Sequence, residues 1–176
     1  PPGDWHYTVS GPAPCADSVA TLSITVLAAP NAGSNGSVTV CSLDPPFDLI
    51  DELGGTPQPG GTWVGPGGPS TGTYTPGTSL LGVYTYTVTG VPPCSSASAQ
   101  VIVTQVNAPN PGASRSIVVC SNDAPFAMVG QLGGTPDPGG SWSGPSPVVG
   151  GQFDPGTMSG GIYTYTVAGT LPCLSR

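Results

Sequence analysis

Hydrophobic and polar residues alternate along short stretches of the chain, and glycine or proline interrupts them every few positions. In "GVYTYTVTG" (82–90), Tyr84, Tyr86 and Val88 fall on one face and Thr85, Thr87 and Thr89 on the other, the period of two that a half-buried strand requires. The same reading makes strands of "SVTVC" (37–41), "GTWV" (61–64), "TGTYT" (71–75) and "SAQVIVTQV" (98–106). "PFDLIDEL" (46–53) fits either a strand or a helical turn, and no stretch sustains a long helical period. The pattern predicts an all-β fold.

The pattern also recurs. "LGGTPQPGGTWVGP" begins at Leu53 and "LGGTPDPGGSWSGP" at Leu132, 79 residues later. The same shift places Cys15 on Cys94 and Cys173, and Cys41 on Cys120; from Cys41 to Cys94, 29 of 54 positions are identical to their counterparts. A period of this size signals stacked modules rather than one large domain. The expected frame is the tail (last two strands) of a preceding unit in 1–29, a complete unit in 30–108 and a second unit in 109–176, each an immunoglobulin-like β-sandwich of about 79 residues.

In that frame the second unit stops at the equivalent of Ala97, without a counterpart of "SAQVIVTQVNA", while "VATLSITVLAA" (19–29) is an unattached copy of that strand. Its Leu22, Ile24 and Val26 face one way. An isolated apolar strand and a sheet lacking an edge partner both invite pairing with another chain. Two readings stand: the ends are cuts in a longer array, or the N-terminal segment of one copy completes its neighbour, giving head-to-tail fibres by strand addition.

Composition narrows the function. Glycine (28) and proline (23) are abundant enough to suggest low complexity, but the strands between their clusters make them turn residues. Lysine is absent and Arg115 and Arg176 are the only arginines, for a net charge of -7. A chain so poor in cations cannot replace the counterions of nucleic acid or present a basic face to anionic lipid. Lysine-to-asparagine isopeptide crosslinks are excluded as well. No run approaches the roughly 18 apolar residues of a membrane span, and "PPGDWHYTV" has no signal-peptide character, so the chain is read as processed or cut.

Five cysteines and little charge point to an oxidising, extracellular setting. Taking "SVTVC" as strand B, "YTYTV" as strand F and "AQVIVTQ" as strand G of an immunoglobulin-like sandwich puts the end of B beside the loop after F. The expected disulfides are therefore Cys41 to Cys94 and Cys120 to Cys173, each worth roughly 4 kcal/mol in the chain-entropy model. Cys15 is left unpaired, its partner falling upstream of Pro1.

The succession "PNAG", "SVTVCS", "PF", "LGGTP", "GGTW", "PGT", "YTYTV" and "PC" from Pro30 to Cys94, largely repeated from Pro109 to Cys173, resembles the immunoglobulin- or PKD-like repeats of very large secreted surface proteins of Bacteroidetes. That resemblance implies export by type IX secretion and service as an adhesin, gliding-associated protein or surface fibre. It does not single out one activity.

Candidate chemistry is sparse. The glycine loop lacks the Gly-Lys-Ser/Thr of a phosphate cradle and the spacing of a dinucleotide fingerprint, and its prolines remove N–H donors. It reads instead as a pair of tight turns that present Trp63 and Trp142 to their cores. His6 is the only histidine, and its counterparts are Thr85 and Thr164, so a triad with Asp4 is not expected. Of the acids Asp44, Asp48, Asp51 and Glu52, only the first recurs (as Asp123), which argues against a repeated calcium site and for an ordered turn. Trp63 and Trp142, with Tyr74, Tyr84 and Tyr86, are the available sugar platforms. Asn35-Gly36-Ser37 is a formal N-glycosylation sequon, and Asp17-Ser18-Val19 resembles the O-glycosylation signal of Bacteroidetes. The function expected is therefore non-enzymatic and cofactor-free: an extracellular structural or adhesive repeat protein whose main partner is itself. The alternative is a carbohydrate-binding module of a secreted protein, with surface glycans as partners.

Overall fold

A computed structural model describes residues 3–174, and they are almost entirely strands and turns. The N-terminal segment is a hairpin of β1 (Gly3–Val9) and β2 (Ser18–Ile24), antiparallel, with Tyr7 opposite Ala20 and Trp5 opposite Leu22. Every residue of both strands is exposed, including Trp5, Leu22 and Ile24.

The next segment contains β3 (Gly36–Cys41), β4 (Phe47–Asp48), β5 (Thr62–Gly65), β6 (Gly68–Ser70), β7 (Thr73–Tyr74), β8 (Gly82–Val88) and β9 (Ala97–Val106). Five of these form one sheet in the order β3-β9-β8-β5-β6, and β4 pairs with β7. The ambiguous "PFDLIDEL" is both things in turn, two residues of strand followed by a 3-10 helix over Leu49–Glu52 that buries Leu49. Tyr84 and Tyr86 point inward, as their alternation requires, and join Leu49, Tyr74, Val101 and Val103 in the core. Tyr74 meets Tyr84 edge-on with ring centroids 5.9 Å apart, and Trp63 packs against Tyr86 at 4.9 Å.

One relation departs from the sequence-based frame. β3 runs parallel to β9, with Gly36 opposite Val101 and Cys41 opposite Val106, so "SVTVC" is an edge strand on the last strand and not strand B. Cys41 therefore lies level with the far end of β9, whereas Cys94 precedes its start at Ala97. Nine residues of strand at ~3.3 Å each put the two about 30 Å apart along the sheet. The expected Cys41 to Cys94 and Cys120 to Cys173 bonds do not form. Cys41 is bonded instead to Cys173, 132 residues on, and Cys15, Cys94 and Cys120 carry free thiols.

The last segment repeats fewer of these elements. β10 (Phe126–Ala127), the 3-10 helix Met128–Gln131, β11 (Ser141–Ser143), β12 (Gln152–Phe153) and β13 (Thr164–Thr166) occupy positions 79 residues beyond β4, the first 3-10 helix, β5, β7 and β8. Phe126 and Phe153 are 5.6 Å apart and Trp142 and Tyr165 4.9 Å, as are Phe47 with Tyr74 and Trp63 with Tyr86. Among the described residues nothing corresponds to β9, and residues 115–120, the counterpart of β3, form no strand.

Candidate functional site

The glycine loop is a structural latch. Tyr86 donates its hydroxyl proton to the Gln58 carbonyl and accepts the Gly61 N–H at 2.8 Å. Gly60 takes the left-handed φ of +85°, and a Cβ on Gly61 would lie 2.5 Å from the Tyr86 ring, so the double glycine is what lets the turn close over the phenol. The Tyr165 hydroxyl holds Asp137 and Gly140 in the same way, at 2.8 and 2.9 Å. Asn31 fastens the loop from its other side by donating to the Thr56 carbonyl at 2.9 Å, and Asn110 does so with Thr135 at the same distance. These asparagines were not singled out in the sequence, although the recurring "PN" at 30 and 109 was the available signal.

The other candidates make local contacts. The Asp44 carboxylate accepts the Cys41 N–H at 2.8 Å, and Asp123 accepts that of Cys120 at 2.8 Å, closing the turn after each cysteine. Asp48 accepts from the Thr73 hydroxyl at 2.9 Å, and no group of three or more metal-ligating side chains gathers among the described residues. His6 Nδ1 lies 3.0 Å from the Thr21 hydroxyl on the exposed hairpin. Trp63 is 7% exposed and offers no face to a sugar. Burial pushes the Tyr74 phenol above its ordinary value of 10.0, with the neighbouring Tyr84 adding to the effect; burial alone raises Tyr84.

A groove of about 640 Å³ lies in the last segment, lined by Ile117, Val119, Phe126, Trp142, Phe153 and Tyr163 among others. Its origin follows from the repeat. In the preceding segment the equivalent space is filled by β9, whose Ala99, Val101 and Val103 are at most 2% exposed between β8 and β3. Without a strand there, Val119 is 39% exposed where its counterpart Val40 is 5%, and Val118 is fully exposed. Half-buried Trp142 lies in this groove, against the Tyr165 ring.

Ala20, Leu22 and Ile24 of β2 stand 79 residues before Ala99, Val101 and Val103. The groove and β2 are both open: Leu22 is 62% exposed. Val26 is likewise exposed. No protein-family model, no curated protein and no solved structure matches this chain. No described helix is long and apolar enough to cross a membrane.

Proposed function

We propose that the chain is a segment of an extracellular structural or adhesive fibre, made of tandem immunoglobulin-like β-sandwich units joined head to tail by strand addition. The observation that carries this reading is the pairing of an unfilled apolar groove at one end with an exposed strand of the matching sequence at the other. For the free chain, the occupant is residues 18–29 of a second copy. The register of β8 on β9 sets Tyr86 opposite Ala99 and Tyr84 opposite Val101, which transfers to Tyr165 opposite Ala20 and Tyr163 opposite Leu22 of the next copy. Arg115 to Cys120 would take the other edge of that strand, as β3 does on β9.

Within its own chain β2 is held by β1, "GDWHYTV", and in the assembly it would be held by "GIYTYTV" (161–167). These two segments compete for the same edge of β2. Exchanging one for the other conserves the ladder, and burial of Leu22, Ile24 and Ala20 in the groove is added to it. The exchange is favoured where that burial exceeds the entropy cost of association, and it is slow to begin because the hairpin must open first. The disulfide and the low charge support an oxidising environment outside the cell.

Sedimentation velocity over a range of concentrations tests the reading. Concentration-dependent head-to-tail oligomers are expected, together with their capping by a synthetic peptide of residues 18–29. A chain that stays monomeric at all concentrations and ignores the peptide contradicts it.

A further inference from the structure

The bond between Cys41 and Cys173 has a repeat relation that the free cysteines share. Cys120 is the counterpart of Cys41, and Cys94 is the counterpart of Cys173. The surroundings correspond as well: Cys173 Sγ lies 3.4 Å from the Val106 carbonyl oxygen and Cys94 Sγ lies 3.9 Å from that of Leu27, which is 79 residues before Val106. Cys41 sits opposite Val106 in the β3–β9 ladder. Both halves of the bridge recur with free thiols: the Cys41 half as exposed Cys120, and the Cys173 half as Cys94, half-buried beside Leu27, and as exposed Cys15.

We infer that Cys120 of one copy forms a disulfide with Cys94 of the next, a covalent staple across the unit-to-unit joint. This rests on the strand-addition reading, because strand insertion is what brings the two sulfurs together. When residues 18–29 of the next copy fill the groove, their Leu27 takes the place opposite Cys120 that Val106 takes opposite Cys41. Cys94 of that copy already stands at its own Leu27 and is carried in with it. The Cys41 to Cys173 bond shows the resulting geometry within one chain.

The oxidant is a low-molecular-weight disulfide such as oxidised glutathione. The thiolate of exposed Cys120 displaces one glutathione thiolate and forms a mixed disulfide; the Cys94 thiolate of the next copy then attacks the Cys120 sulfur and releases the second glutathione. Two protein thiols become one disulfide, one glutathione disulfide becomes two thiols, and the two protons pass to the released thiolates. Cys15 takes no part and keeps its thiol.

The test mixes unlabelled and 15N-labelled protein of residues 1–176 in oxidised glutathione, followed by non-reducing electrophoresis and peptic peptide mapping. The expected result is a ladder at multiples of the 17.3 kDa chain, with Cys94 peptides joined to Cys120 peptides of the other isotope. Cys94→Ser and Cys120→Ser should each abolish the ladder, and sedimentation under reducing conditions should still show oligomers of both variants. Oligomers that form but carry no Cys94–Cys120 bond overturn the staple and leave strand addition standing. An absence of both oligomers and bond overturns both, and a ladder made through Cys15 overturns the assignment of the sulfurs.

Discussion

At the scale of single residues, the loop that most resembles a ligand cradle is held by a phenol on one side and by Asn31 on the other. Tyr86 joins the Gln58 carbonyl to the Gly61 N–H under a turn that only glycine can close. Tyr86→Phe leaves a part-buried donor and acceptor unpaired and should destabilise the protein by about 1–3 kcal/mol in urea denaturation. The aromatic alternation made the inward direction of Tyr84 and Tyr86 readable from sequence. Their hydroxyl partners were not readable, because they lie on a loop that approaches only after the sheet has formed. The phenols also give a pH signature. Tyr74 and Tyr84 hold their protons more tightly in the folded state than in the unfolded one, chiefly through burial, so the folded state binds more protons above the unfolded value of about 10. Stability should be flat with respect to these groups below that pH and fall as pH rises past it. Chemical denaturation between pH 8 and 11 should show a decline that is shallower in Tyr84→Phe.

At the scale of elements, the strands were legible and their partners were not. Period-two alternation located β3, β5, β7, β8 and β9 to within a residue or two, but β6, three residues containing a proline, has no such signal. The difference is largest at β3. As strand B, "SVTVC" would end beside the loop after "YTYTV", whereas its parallel ladder on β9 carries Cys41 to the opposite end of the sheet from Cys94. Alternation fixes which face a residue takes and says nothing of which way the neighbouring strand runs. The same ladder is what the last segment lacks, leaving Ile117 and Val119 against open space. Leu22 is exposed in the hairpin, so Leu22→Asp should leave the folded monomer intact by circular dichroism. It would place a carboxylate inside the groove of the next copy, and self-association measured by sedimentation should weaken by at least ~100-fold. Tyr7→Asp, on the displaced strand β1, should not weaken it.

At the scale of the whole molecule, the repeat decides how the segments are tied together. The 79-residue shift was plain in the sequence, but it is silent on whether a bond closes within a unit or between units, because both choices give the same spacing pattern of cysteines. The Cys41–Cys173 bond crosses from one segment to the next, and closing 132 residues is worth up to about 5 kcal/mol in the chain-entropy model. Cys173→Ser should lower the melting temperature of the last segment, and a reductant should then have no further effect on it. The central claim is that one copy completes the next, and a cryo-electron microscopy map of the assembled protein tests it most directly. Strand addition places residues 18–29 of one copy between 115–120 and 161–167 of its neighbour, with Leu22 opposite Tyr163. Assemblies in which the groove is empty and β2 remains paired with its own β1 would contradict it.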